Sequence, residues 1–158
     1  GARDTLRIEA CYPLYGHETN DKITPIEVGL GWLVKTEKED FIGKEILKKQ
    51  KEHGTERILV VFEMVDRGIA RENYEIFANN EKIGHVTSGT FSPTFRKSLG
   101  MALIKKPFSE IGNELNIKIK GKLHKAKIVK RPFYEYKGGQ KWKTQKILNT
   151  PKTMNGLR

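Results

Sequence analysis

The spacing of apolar residues changes character near residue 55. Before that point it follows helical intervals interrupted by glycine. Leu6 and Ala10 stand four apart and predict a short helix from Gly1, stopped by Pro13 in a loop that ends at Leu14. "YGHETNDK" is rich in turn formers. In "TPIEVGLGW", Thr24 predicts a helix cap and Pro25 suits the first helical position. Glu27 follows Thr24 by three residues, as a capping box requires. Gly29 and Gly31 end that helix within about two turns, and "GWLVK" then reads as extended. Asp40 to His53 predicts a second helix. Asp40 caps it, and Ile42, Ile46 and Leu47 form its buried stripe. Lys44, Lys48, Lys49 and Lys51 lie mostly on its wet face, and Gly54 ends it.

From Arg57 the period is two. "RILVVFEMV" is apolar nearly throughout and predicts a strand covered on both faces. "NYEIFA" and "KIGHVTSG" flank "NNEK", an Asn-Asn turn of the hairpin kind. "LGMALI" is a further strand. Between the last two, Gly89 and Pro93 predict a bend, and the hydroxyls of Thr87, Ser88, Thr90 and Ser92 can satisfy its backbone groups. "ELNIKIK" and "HKAKIVKR" alternate around Lys120-Gly121-Lys122, a second hairpin with basic residues on its outer face. That makes about six strands with short loops, a small antiparallel barrel or sandwich. The fold class is α+β, mainly β. The helical, glycine-broken start does not belong to the strands and reads as the end of a different domain. After Pro132 the periodicity is lost, and a polar, basic, mobile tail is expected.

Composition sharpens this picture in three respects. Hydrophobic residues make up 37% of the 158, enough for a core, while no apolar run approaches the roughly 20 residues of a membrane span. Cys11 stands alone, which excludes an internal disulfide and a Cys-rich metal site and fits a reduced, cytoplasmic compartment. The net charge is +11 and lies at one end. Ile117 to Arg158 holds 13 Lys or Arg and one acid, Glu135, so +12; the rest of the chain carries −1. Such a field attracts an acidic partner, a nucleic acid or an anionic surface, and a solvated end with no specific partner accounts for it equally.

Candidate chemistry is sparse. His17, His53, His85 and His124 have no metal-like spacing, and His85 alternates within a strand as a structural residue. No phosphate-cradling glycine loop and no nucleophile–base set can be argued. Phe133, Tyr134, Tyr136 and Trp142 interleave with lysines, the composition by which small barrels hold single-stranded nucleic acid. A flat, charged ligand would instead need a ring face and a forked guanidinium. Trp32 and Arg3 lie near turns in the helical part. Spacing does not bring them together, and core packing for Trp32 and a surface ion pair for Arg3 are the plain alternatives.

Several stretches carry a more specific signal. "GARDTLRIEACYPLYGHE", "TPIEVGLGW", "DFIGKEIL", "RGIARENYEI", "IGHVTSGTFSPTF" and "GMALI" occur in this order. Together, from Gly1 to about Tyr134, they resemble the C-terminal portion of the glycine cleavage system T protein, the aminomethyltransferase family. The resemblance implies that 1–54 close a folate-binding domain, that 55–135 form the C-terminal β-barrel domain, and that 136–158 are a tail. It implies transfer of a one-carbon unit from the aminomethyl-dihydrolipoyl arm of H protein to tetrahydrofolate, with release of ammonia and without a metal. Arg3 in "GARD" and Trp32 in "GLGW" match positions that contact folate or substrate, and Tyr134 or Tyr136 stands near a ligand-contacting tyrosine. The catalytic aspartate of the family is expected upstream of residue 1, so the chain by itself is expected to be inactive. Acidic H proteins would suit the basic end between Lys118 and Arg131. The alternatives are a folate-dependent demethylase or folate-binding protein of the same architecture, and a basic nucleic-acid-binding barrel.

Overall fold

The computed structural model describes residues 1–135; the basic tail at 136–158, with Tyr136 and Trp142, lies outside them. Six strands follow one another: β1 (Arg57–Met64), β2 (Glu75–Ala78), β3 (Glu81–Ser92), β4 (Lys97–Lys105), β5 (Glu114–Ile119) and β6 (Lys122–Val129). All pair antiparallel, in the order β1-β4-β3-β2-β5-β6, and the β1–β6 pairing closes them into a barrel. Closure removes the free edges that an open sheet of this size would expose. The two predicted hairpin turns form as their residues dictate. Asn79 and Asn80 take φ of 48° and 62°, and Lys120 and Gly121 take 48° and 83°. Positive φ at both central residues gives the twist that matches the flanking strands.

The near-continuous apolar run of β1 has the expected cause. Val60, Phe62 and Met64 point into the barrel with Ile76, Val86, Ile104 and Ile117. Leu59 and Val61 point outward with Leu99, Met101 and Leu103, where they meet Ile8, Ile23 and Val28 of the N-terminal segment. There are thus two cores: one inside the barrel, and one between its wall and residues 1–54. Leu59 N donates to Glu27 O at 2.8 Å, fixing that segment to β1.

The segment itself departs from the helical reading. The first helix, α1, spans only Ala2–Glu9. Cys11 turns the chain at φ 57°, ahead of Pro13. Ile8 and Glu9, not Leu6, face inward, and Leu6 is exposed. In "TPIEVGLGW" the capping box forms, with Thr24 N donating to Glu27 Oε2 at 2.8 Å and Glu27 N to Thr24 Oγ1 at 3.4 Å. It closes a run of turns instead of a helix. Gly29 adopts φ 80° beneath the Arg131 guanidinium, where an added Cβ would sit 2.2 Å from Nη2. The stretch read as extended contains a 3-10 turn at Gly31–Leu33. The second helix, α2, begins at Lys44 after Gly43, not at Asp40, and runs to His53. Its apolar stripe is not buried: Ile42 and Ile46 are exposed, and no residue of α2 is fully covered.

The bend predicted at Gly89 and Pro93 forms from Pro93 onward, and not at Gly89. β3 continues through Gly89 to Ser92, and the chain turns only afterwards, with Arg96 at φ 54° before β4. The glycine is required by a close approach: a Cβ there would lie 2.0 Å from the carbonyl oxygen of Ala70.

Candidate functional site

Alternation along β3 places Ser88, Thr90 and Ser92 on one side of the strand, and all three meet the N-terminal segment. Ser88 Oγ donates to Glu18 Oε1 at 2.6 Å and accepts from Arg7 Nη2 at 2.8 Å. Arg7 Nη1 reaches Glu18 Oε2 at 3.0 Å, and Leu14 N donates to the same oxygen at 2.9 Å. Glu18 is fully buried, so its charge is held by a guanidinium, a hydroxyl and an amide together. Thr90 Oγ1 lies 3.4 Å from Thr5 Oγ1. Ser92 Oγ donates to Glu9 Oε1 at 2.5 Å, and Thr94 Oγ1 to Glu9 Oε2 at 3.1 Å. This ladder of hydroxyls is the polar half of the joint whose apolar half is Ile8 against the barrel wall. Two of them also serve local backbone: Ser92 Oγ accepts from Phe95 N at 3.1 Å, and Thr90 Oγ1 donates to Phe91 O at 3.4 Å. Thr87 Oγ1 is buried with no partner among the described residues. The hydroxyls therefore bind side chains far away in sequence more than they satisfy a local bend.

Arg3 projects from the exposed side of α1, one turn ahead of Arg7, with no ion pair among the described residues. Trp32 sits on the 3-10 turn and is 70% exposed, so it is not a core residue. No hydrogen bond joins the two, and neither lines the clefts described below. Tyr134 is half exposed and is tied to α1, its N–H donating to Glu9 O at 2.9 Å. Arg7, Glu9 and Glu18 gave no sign in the sequence, and Ser88 and Ser92 were read only as local turn hydroxyls, since Glu18 and Ser88 are 70 residues apart. The one available signal was the alternation of hydroxyls in "SGTFS".

An open cleft of about 920 Å³ lies between the end of α2 and the rims of β3 and β4, lined by His53, Arg57, Lys82 and Lys106 among others. Three of its cations are already engaged, Arg57 by Glu27 at 2.9 Å, Lys82 by Glu75 at 2.7 Å and Lys105 by Glu81. A second cleft, about 630 Å³, has Leu33, Val34, Phe41 and Leu47 as its apolar floor and Lys35, Lys38, Glu39 and Asp40 on its rim. Burial pushes the Cys11 thiol above its ordinary pKa, against a weaker opposing pull from a backbone hydrogen bond of Phe133 and the Arg131 charge. The His85 imidazole is held below 6.5, first by loss of solvent and then by the Arg57 and Lys82 charges. No group of His, Cys, Asp and Glu among the described residues is arranged to hold a metal, and no described helix is long and apolar enough to cross a membrane.

The outer face of β5 and β6 is basic as expected. Lys118 and Lys125 have distant carboxylate neighbours, Glu75 at 3.7 Å and Glu114 at 3.8 Å. Lys120, Lys122, Lys127 and Lys130 are exposed, without an ion pair among the described residues.

A closed six-stranded antiparallel barrel, with a short helical segment keyed to its flank by hydroxyls and buried carboxylates, defines the structural class. The family model described as "Glycine cleavage T-protein C-terminal barrel domain" matches residues 57–135, and that described as "GCVT N-terminal domain" matches residues 1–38. The chain belongs to the glycine cleavage T-protein family. It is 59% identical over 136 residues to an aminomethyltransferase of Geobacillus sp. (strain WCH70), a match that covers 85% of this chain and 37% of that protein. An aminomethyltransferase of Desulforamulus reducens is 55% identical over 135 residues, with the same coverage. The crystal structure of glycine cleavage system aminomethyltransferase T from Bartonella henselae superimposes with a TM-score of 0.79 at 31% identity, covering 84% of this chain and 38% of that one. The chain thus spans little more than a third of the length of the relatives it matches.

Proposed function

We propose that this chain supplies the carboxy-terminal part of a cytoplasmic aminomethyltransferase that passes a one-carbon unit from aminomethyl-dihydrolipoyl H protein to tetrahydrofolate and releases ammonia. One observation carries the reading. A 59% identity to an aminomethyltransferase extends over 136 residues, and the two family models match residues 1–38 and 57–135, so both the α1 segment and the barrel are alike. In this reading Arg3 and Trp32 face the folate. Tetrahydrofolate is a flat heterocycle with an acidic tail, and a forked cation and an indole face are the groups that recognise such a molecule. Both side chains are exposed here and held on elements anchored to the barrel, α1 through Arg7 and Glu9, and the 3-10 turn through the Glu27–β1 contact. The protein's service to the reaction is to hold donor and acceptor in line and to stabilise developing charge. The free lysines of β5 and β6 offer the acidic H protein a docking face.

The test uses a chimera in which residues 1–135 replace the matching part of the Geobacillus enzyme. The chimera is expected to transfer the aminomethyl group. Arg3→Ala and Trp32→Ala are each expected to weaken tetrahydrofolate use, Arg3→Ala by roughly 1–3 kcal/mol for a lost charged hydrogen bond. A folded, active chimera whose folate use neither substitution changes removes both residues from the site.

A further inference from the structure

Strand β3 carries an extra residue at its middle. Its register against β4 pairs Val86 with Ala102 and Ser88 with Met101, so Thr87 is bulged out of the ladder. Strict alternation would put Ser88 on the side of Val86, inside the barrel. The bulge turns Ser88 outward instead, to Arg7 and Glu18. It has a cost, because Thr87 is buried and its hydroxyl has no partner among the described residues. What the bulge provides is an acceptor for Arg7. The Arg7 guanidinium then has three partners: Nη2 donates to Ser88 Oγ at 2.8 Å, Nη1 to Glu18 Oε2 at 3.0 Å, and Nε to Asp4 Oδ1 at 2.8 Å. Its side chain is only 11% exposed, and that of Glu18 is fully covered. A planar fork can serve three such partners at once, and a lysine ammonium, reaching from a single atom, does not fix their geometry.

Asp4 matters because of where it stands. It lies in the first turn of α1, next to Arg3. With eight residues, α1 is too short to hold its shape without tertiary contacts. Gly1 gives it no side-chain cap, and its buried residues, Ile8 and Glu9, are at the other end. Toward the barrel the first turn has the 3.4 Å contact of Thr5 with Thr90 and, through Arg7, the ion pair of Asp4 at 2.7 Å. We propose that Arg7 is a positioning residue for folate binding: joined to Ser88 and Glu18 on one side and to Asp4 on the other, it fixes the turn that bears Arg3 relative to the barrel. Arg3 then meets folate already oriented, and less ordering entropy opposes binding. The inference rests on the reading that Arg3 faces folate, and adds to it a residue that acts through Arg3.

The test uses the chimera of residues 1–135 with the Geobacillus enzyme, and reads kcat and KM for tetrahydrofolate with aminomethyl H protein saturating. Arg7→Lys is expected to raise KM about tenfold, a coupling of the size found between neighbouring groups in one network, and to change kcat far less. With Arg3→Ala already in place, Arg7→Lys is expected to raise KM by less than about twofold more. A merely structural role gives another pattern: a smaller folded fraction lowers kcat at unchanged KM, with or without Arg3. That pattern, or an equal rise in KM in both backgrounds, overturns the inference. Should Arg7→Lys prevent folding, Asp4→Asn takes its place, since the Asp4 side chain is 44% exposed at the edge of the cluster. It is expected to raise KM about threefold with Arg3 present and to change nothing with Arg3→Ala; an unchanged KM with Arg3 present overturns the inference. Arg3→Ala by itself separates the two readings. If it raises KM and the Arg7 or Asp4 variant does not, only the positioning role fails. If it leaves KM unchanged, the folate reading fails and the positioning role with it.

Discussion

Ser88 serves two charged groups at once, donating to Glu18 and accepting from Arg7, in a place no water reaches Glu18. A buried carboxylate that loses one of its donors keeps its charge and loses part of its solvation substitute, so the cost is set by desolvation more than by the bond itself. Ser88→Ala is therefore expected to destabilise the 158-residue chain by about 1–3 kcal/mol, read by urea unfolding. Thr94→Ala, at a more exposed donor to Glu9, is expected to cost less. A Ser88→Ala loss no greater than that of Thr94→Ala would mean that the network does not anchor the segment.

At the level of elements, β3 is the pivot of the molecule. It pairs with β2 and β4 inside the barrel and presents its hydroxyl side to α1 outside it. At Gly89 the loop at Ala70 presses directly on the strand backbone, an approach that the missing side chain permits. Gly89→Ala would drive a methyl into a carbonyl oxygen, which neither the loop nor the paired strand can yield cheaply. The expected loss exceeds about 3 kcal/mol, in the range of severe core overpacking, and thermal unfolding with circular dichroism measures it. A melting temperature within a degree of the parent would show that the Ala70 loop moves aside freely. The glycine reads in the sequence as the place of a bend. The choice between a bend and a close approach depends on a loop nearly 20 residues earlier, and no local pattern reports that.

At the scale of the whole molecule, the lysines of β5 and β6 give one side of the barrel a basic face, with Lys120, Lys122 and Lys127 exposed there. Under the proposed function this face meets H protein in passing. Binding of H protein to the complete enzyme is expected to weaken as salt rises from about 0.05 to 0.5 M, because the charges involved are exposed and screened. Changing Lys120, Lys122 and Lys127 together to Glu is expected to slow association and flatten that dependence, as stopped-flow measurements would record. An unchanged salt slope would assign docking elsewhere.

How much of this was legible depends on where each cause resides. The barrel was readable because period-two apolar patterns and Asn-Asn and Lys-Gly turns act within a few residues, and six such strands have few ways to hide their edges. The family was readable because its strings are contiguous. Helix lengths in residues 1–54 were not, since Leu6, Ile42 and Ile46 keep helical spacing whether or not anything covers them. By itself, then, the sequence determined the strands, their turns, the basic face and the kinship. Tertiary structure alone decided which apolar side chains are buried, and joined Arg7 and Glu18 to Ser88 and Glu9 to Ser92 across 70 to 83 residues of chain. Local propensity sets the shape of an element, but desolvation of a carboxylate or an isoleucine is settled only by what arrives from elsewhere in the fold.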